Sequence, residues 1–254
     1  MQRLKDRVAV VTGSSTGIGL AIARRFGVEG AKVVVNSRTM QRAQAAADAL
    51  RAEGIAATAV EGDVSRAEDA RRLADAAVAA YGRLDIWVNN AGINAIGPSL
   101  ELDYGDFLRV LEVNLAGCFA GSQAAGRVMV PQGRGVILQI GSIFGEVGMP
   151  MRAAYCSAKH GLIGLTKVLS NEWARHGVRV VCLDPAYIRT DLDVQDQSSG
   201  SYDDADIQRR TPLGRYGTLD EVANVALFLC SDEAAYVTGS HVTVDGGWMA
   251  YGGW

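Results

Sequence analysis

The chain has 254 residues, 48% of them apolar, with 21% charged residues and a net charge of −3. That is enough apolar material for a sizeable core, and it offers no basic surface for nucleic acid or an anionic membrane. The charged start and the lack of any long apolar run predict neither a secretory signal nor a membrane span.

Short β-branched runs at 8–11, 32–36, 57–61, 86–89, 136–140, 178–183 and 241–244 alternate with helical stretches at 18–29, 40–52, 66–81, 103–129, 153–175 and 219–230. The runs are apolar almost throughout, as strands covered on both faces are. Such alternation predicts βαβ units. The expected fold class is α/β: a single doubly wound parallel β-sheet, Rossmann-like, flanked by helices on both faces, with residues 1–254 forming one domain. Ser65-Arg66-Ala67-Glu68 and Thr218-Leu219-Asp220-Glu221 are capping-box sequences that predict helix starts. Residues 191–213 are polar and break the alternation just beyond a strand's carboxyl end, where open sheets bind ligands. They are read as a substrate lid.

The first strand runs into Thr12-Gly13-Ser14-Ser15-Thr16-Gly17-Ile18-Gly19 and then directly into a helix. Gly13 permits a tight turn, Gly17 lets the backbone approach a pyrophosphate, and Gly19 lets helix and strand pack closely. The helix N-terminus adds unpaired N–H groups and a positive dipole end. A dinucleotide is therefore expected, although the spacing is G-x3-G-x-G rather than G-x-G-x-x-G. At the end of the second strand, Asn36-Ser37-Arg38-Thr39 lacks the carboxylate that would hold a ribose 2′-hydroxyl. Ser37 and Arg38 suit a 2′-phosphate instead, which favours NADP(H) over NAD(H).

Tyr155-Cys156-Ser157-Ala158-Lys159 places a phenol and an ammonium on one face of a helix. A phenol of ordinary pKa, near ~10, is a poor proton donor–acceptor at neutral pH. A cation about 4 Å away favours the ionised form by roughly 4 kcal/mol at an effective dielectric of about 20. Such a pair can exchange a proton with a carbinol near neutrality. Upstream, Gln139-Ile140-Gly141-Ser142 ends a strand with a hydroxyl. Ser142 reads equally as a hydrogen-bond donor to a substrate oxygen and as a turn cap. The four cysteines (Cys118, Cys156, Cys182, Cys230) have no CxxC spacing and read as small buried hydrophobes of a reducing, cytoplasmic compartment. The three histidines show no ligand spacing, so no metal site is expected.

In this order, the glycine turn at 12–19, Asn89-Asn90-Ala91-Gly92 after the fourth strand, Asn114, Ser142, Tyr155-x3-Lys159 and the ending Val244-Asp245-Gly246-Gly247 resemble the short-chain dehydrogenase/reductase family over nearly the whole chain. The resemblance implies that Tyr155 is the general acid/base and that Lys159 both supports it and binds the nicotinamide ribose. It implies that Ser142 positions the carbonyl oxygen and that Asn114 holds a water linking Lys159 to solvent. Asp63 and Val64 would meet the adenine, Asn90, Ala91 and Gly92 would line the cofactor, Ile188 and Thr190 would hold its carboxamide and pyrophosphate, and Pro185 would bind the cofactor beside them. It also implies a homotetramer, with the aromatic, glycine-rich tail at 246–254 packed at a subunit interface. Two departures stand out. Asp184-Pro185-Ala186 replaces the usual Asn-Pro-Gly, adding a methyl at Ala186, and Thr16 occupies a place that is basic in many NADP-using relatives. Tyr187 reads equally as a pocket or a surface aromatic.

The expected activity is hydride transfer between NADP(H) and a small-molecule ketone or secondary alcohol, of the carbonyl reductase or polyol/sugar dehydrogenase type. A 3-oxoacyl-thioester reductase is an alternative, for which an acidic carrier would need a basic patch; Arg209, Arg210 and Arg215 are a thin candidate. A non-catalytic dinucleotide-binding regulator is an alternative of another class, whose mark would be loss of the tyrosine or the lysine.

Overall fold

The computed structural model describes residues 2–190 and 202–252. The seven apolar runs become strands β1 (Val8–Val11), β2 (Lys32–Ser37), β3 (Ala57–Glu61), β4 (Ile86–Asn89), β5 (Gly135–Ile140), β6 (Val178–Pro185) and β7 (His241–Val244). They pair in parallel in the order β3-β2-β1-β4-β5-β6-β7. The order reverses direction between β1 and β4, so the connections leaving their carboxyl ends diverge and open a crevice there.

The helices are α1 (Gly17–Val28), α2 (Met40–Ala52), α3 (Ala67–Tyr81), α4 (Tyr104–Leu111), α5 (Gly117–Gln132), α6 (Ala153–Trp173), α7 (Asp204–Arg210) and α8 (Leu219–Cys230). Alternate strand residues point to opposite faces, which divides the core into two layers. Ala9, Val11, Val33 and Val35 pack with Ile22 and Phe26 of α1 and with Val222 and Leu227 of α8. Val8, Val10 and Val34 pack with Leu73 and Ala77 of α3, Met129 of α5 and Leu169 of α6.

The Thr218 capping box forms as expected, each partner bonding the other's backbone N–H. The Ser65 box does not form. The Ser65 hydroxyl donates to Asp63 Oδ1 at 2.6 Å instead, and α3 starts after Arg66 with no side-chain cap. The long stretch at 103–129 is two helices joined by a π turn at Glu112–Ala116, with Asp103 capping the first. Of the expected lid, residues 191–201 lie outside the described residues. The remainder is more regular than anticipated, because α7 forms there behind an Asp203/Asp206 capping box.

All four cysteines are free and buried, as expected of small core residues. Burial pushes the Cys118 thiol up to about 11 and that of Cys230 up to about 12. Among the described residues no helix is long and apolar enough to cross a membrane.

Candidate active site

The turn between β1 and α1 uses its glycines in three different ways. Gly13 has φ 60°, and a Cβ there would lie 2.9 Å from Ala91 Cα. Gly19 sits under the clamp that holds the turn, where a Cβ would lie 2.4 Å from Asn90 Nδ2 and 2.7 Å from Gly13 O. Gly17 has φ 57°, yet a Cβ there would meet nothing within 4 Å. It faces open space rather than protein, as a backbone meant to be approached by a ligand should. No side chain caps the start of α1, so its first N–H groups are left to whatever occupies that space.

Two asparagines hold the turn in place. Gly13 N donates to Asn36 Oδ1 at 3.1 Å, and Asn36 Nδ2 reaches across to Gly62 O at 3.1 Å. Asn90 Nδ2 donates to Thr12 O and Gly13 O at 2.9 and 3.1 Å. Thr12 Oγ1 accepts from the backbone N–H groups of Asn90 and Ala91. The β1 and β4 ends are thereby locked together at the switch point.

A cavity of about 380 Å³ runs along this edge. Ser15, Thr16, Gly17 and Ile18 line it, followed by Ser37 and Arg38, Asp63 and Val64, and Asn90, Ala91 and Gly92. At its other end stand Ser142, Tyr155, Lys159, Pro185, Ile188 and Thr190. Two residues anticipated for the site stand apart from the lining. Gly19 acts through packing, and Asn114 is fully buried behind the wall.

Arg42 also lines the cavity, from the first turn of α2 just beyond Arg38. It lies beyond the strand end from which the 2′-phosphate site is read, and its only mark in the sequence is a second arginine four residues after Arg38. Asp63, just past the end of the neighbouring strand β3, is tied down by Ser65 and by Arg109 Nη2 at 3.1 Å. Burial works to raise its carboxyl, but these hydrogen bonds outweigh it and hold the group below the usual carboxylate range.

At the far end, Tyr155 is half-buried and Lys159 is buried one turn later on α6. Lys159 Nζ donates to Ile140 O at 2.7 Å and lies 5.4 Å from the centre of the Tyr155 ring. The ammonium is therefore fixed by the end of β5, the strand that also delivers Ser142. Ser142 fits both of its sequence readings. It lines the cavity, and its Oγ accepts from Phe144 N at 3.2 Å at the start of the Ile143–Gly145 turn.

Asn114 sits in the π turn, the kind of helix defect that often marks a functional position. Its side chain holds the Ile93 backbone from both sides: Ile93 N donates to Oδ1 at 2.9 Å and Nδ2 donates to Ile93 O at 2.8 Å.

An aromatic wall closes the far end. The Phe144 ring meets those of Tyr155, Tyr187 and Trp248 edge-on, at centroid distances of 6.5, 6.1 and 6.4 Å. Tyr187 is thus a pocket aromatic and not a surface one. Trp248, from the aromatic tail, packs within its own chain, with the Arg210 guanidinium 4.4 Å over its ring. The extra methyl of Ala186 is accommodated. Among the described residues only Asp6 and Met151 combine a side chain with positive φ, so the loop at 186 does not need glycine, and Ala186 N still reaches Val244 O at 3.1 Å.

Residues 13–249 match the family model described as "Enoyl-(Acyl carrier protein) reductase". The chain is 40% identical over 252 residues to 3beta-hydroxysteroid dehydrogenase 1 of Eggerthella lenta, covering 98% of this chain and 96% of that one. It is 37% identical over 246 residues to D-threitol dehydrogenase of Mycolicibacterium smegmatis, covering 97% and 94%. A crystal structure of a gluconate 5-dehydrogenase from Burkholderia cenocepacia, in complex with NADP and tartrate, superposes with a TM-score of 0.93 at 36% identity, over 98% of each chain.

Proposed function

The chain belongs to the short-chain dehydrogenase/reductase family, oxidoreductases acting on CH–OH and C=O groups, and from that premise we propose that it moves hydride between NADP(H) and a small polar ketone or secondary alcohol of the polyol or sugar-acid kind. One observation carries the reading: Ser142, Tyr155 and Lys159 line the same cavity as the glycine turn and the Arg38/Arg42 pair. Cofactor and proton machinery thereby share one space. The N-terminal N–H groups of α1 would hold the pyrophosphate, with Asn90, Ala91 and Gly92 beneath. Arg38 and Arg42, beside Ser37, would hold the 2′-phosphate, which is the basis for NADP(H) over NAD(H). Lys159 would bind the nicotinamide ribose, and Pro185, Ile188 and Thr190 would flank the nicotinamide.

When bound, the nicotinamide supplies or accepts the hydride. Everything else is the work of the chain. Ser142 Oγ–H donates to the substrate oxygen and fixes its position. Tyr155 Oη delivers a proton to that oxygen in reduction and removes it in oxidation. The Lys159 ammonium stabilises the negative charge that Tyr155 carries in between. Asn114 holds the π turn against Ile93 and, through a water, connects Lys159 to solvent. The aromatic wall of Phe144, Tyr187 and Trp248 excludes water from the reacting centre and offers flat apolar faces to a carbon skeleton. Homotetrameric assembly in the cytoplasm belongs to the same proposal.

A 3-oxoacyl-thioester substrate on an acidic carrier is disfavoured by the state of the basic cluster. Arg209 is paired with Asp206 at 2.7 Å, and Arg215 with Glu221 at 2.6 Å. Hydrogen bonds from Arg215 hold the Glu221 carboxyl down to about 2. Arg210 lies over Trp248. Little free positive charge remains for a carrier. Reduction of a C=C bond is disfavoured by the short Tyr155-x3-Lys159 spacing, and a silent regulator by retention of both residues.

The test is coenzyme oxidation against keto-polyols, keto-sugar acids, plain ketones, 3-oxoacyl thioesters and enoyl thioesters. The highest kcat/KM is expected on a keto-polyol or keto-acid with NADPH. Turnover confined to thioesters would sink the proposed substrate class.

A further inference from the structure

Asp184 brings a buried carboxylate to the end of β6. The parallel register sets Asp184 and Cys182 beside Thr243 and His241 of β7, and α6 covers this face of the sheet. The Cys182 thiol donates to Asp184 Oδ1 at 3.0 Å. The other carboxylate oxygen, Oδ2, is fully buried and has no hydrogen-bond donor among the described residues. It faces His241 Nδ1 at 3.2 Å, which is also buried and without a hydrogen-bonding partner among them. Glu146 Oε1 lies 3.5 Å from the same ring nitrogen. One ligand atom from each of the three residues falls within 4.8 Å of the others.

We propose that Glu146, Asp184 and His241 form a binding site for a first-row divalent cation of the Zn²⁺ type. Metal–ligand bonds of about 2.1 Å in a tetrahedron put neighbouring ligand atoms about 3.4 Å apart; the two separations from His241 Nδ1, 3.2 and 3.5 Å, bracket that value, and the third pair, between the carboxylates of Glu146 and Asp184, lies within 4.8 Å. Two carboxylates and a neutral imidazole leave one position for water and balance the charge of a divalent ion. The imidazole selects Zn²⁺ or Co²⁺ over Mg²⁺ and Ca²⁺, which prefer oxygen alone. The Glu146 and His241 side chains are each about 30% exposed while Asp184 is fully buried, so the site has a floor and an entrance. The three ligands are far apart in sequence, so no ligand spacing marks the site.

The cation would tie together three pieces that frame the reaction site. Glu146 follows the turn that Ser142 caps, Asp184 precedes Pro185, and His241 opens β7. Its role would be structural support of the Ser142 turn, and its binding is read without any turnover, so it stands or falls separately from the proposed activity.

The test uses full-length protein stripped with a chelator and then titrated with Zn²⁺ by calorimetry, with Co²⁺ as a visible-absorption probe. Glu146→Gln, at the exposed rim, serves as the variant least able to disturb folding, and His241→Ala as the second. Expected results are one equivalent of Zn²⁺, a thermal midpoint that rises with Zn²⁺ concentration, tetrahedral Co²⁺ absorption, and no competition from Mg²⁺. Both variants should weaken binding by more than the roughly 10–100-fold that loss of an outer-shell partner costs. Wild-type protein that binds no more Zn²⁺ than His241→Ala would show the trio to be an ion-pair cluster and overturn the site.

Discussion

Tyr155→Phe should lower kcat by about 10²–10⁴-fold, the range that one positioned acid/base group contributes, while KM for coenzyme changes only a few-fold. The substitution removes one hydroxyl and little else. The Tyr155 ring packs edge-on to Phe144 at 6.5 Å, and phenylalanine keeps that contact. Lys159 stays fixed by its 2.7 Å bond to Ile140 O. The thermal midpoint should therefore match wild type within a degree or two. A variant that kept wild-type kcat would remove Tyr155 from the chemistry, and one that unfolded would remove the interpretation.

The double substitution Ser37→Asp with Arg38→Leu should move the NADPH/NADH ratio of kcat/KM towards NADH by about 10²-fold or more. Each charge-assisted hydrogen bond is worth about 1.5–3 kcal/mol, and every 1.36 kcal/mol is a factor of ten in rate. Removing the Arg38 guanidinium costs NADPH one such interaction. The introduced carboxylate repels a 2′-phosphate and accepts from a 2′-hydroxyl. Arg42 lines the same end of the cavity and should leave a residual preference for the phosphate, which adding Arg42→Ala would abolish. An unchanged ratio in steady-state assays with both coenzymes would end the assignment of this end of the cavity to the 2′-phosphate.

The layered sheet was legible because strands covered on both faces need short, mostly apolar runs, and the chain alternates seven such runs, rich in β-branched residues, with helical stretches. The glycine turn was legible for a similar reason: positive φ at Gly13 and Gly17 is a demand that few other residues meet. Tyr155 and Lys159 could be paired because helical spacing alone sets them one turn apart.

The features without a clear mark in the sequence depend either on competition between near neighbours or on contacts between distant segments. Ser65 looked like a cap, but the Asp63 carboxylate took its hydroxyl, and local spacing does not decide between two nearby acceptors. Helix α7 hid in a polar stretch because its capping box is built from two aspartates. Asn114 is named in the sequence only by the family resemblance and has no local signal of its own, since its contacts come from a π turn and from Ile93, brought to it by the fold. The aromatic wall draws Phe144, Tyr187 and Trp248 from three separate segments, and the Glu146–Asp184–His241 cluster likewise joins the loop after β5, the end of β6 and the start of β7.

The central claim is that hydride from NADPH arrives at a carbonyl carbon while Tyr155 supplies the proton. The most direct measurement is transfer from nicotinamide-deuterated NADPH to the best ketone substrate, with the product read by mass spectrometry and NMR. The expected product carries one deuterium on the carbinol carbon, and its yield per enzyme in a single turnover collapses in Tyr155→Phe. Coenzyme oxidation that leaves the carbinol carbon unlabelled, or that places the label on a carbon of a reduced C=C bond, would contradict it.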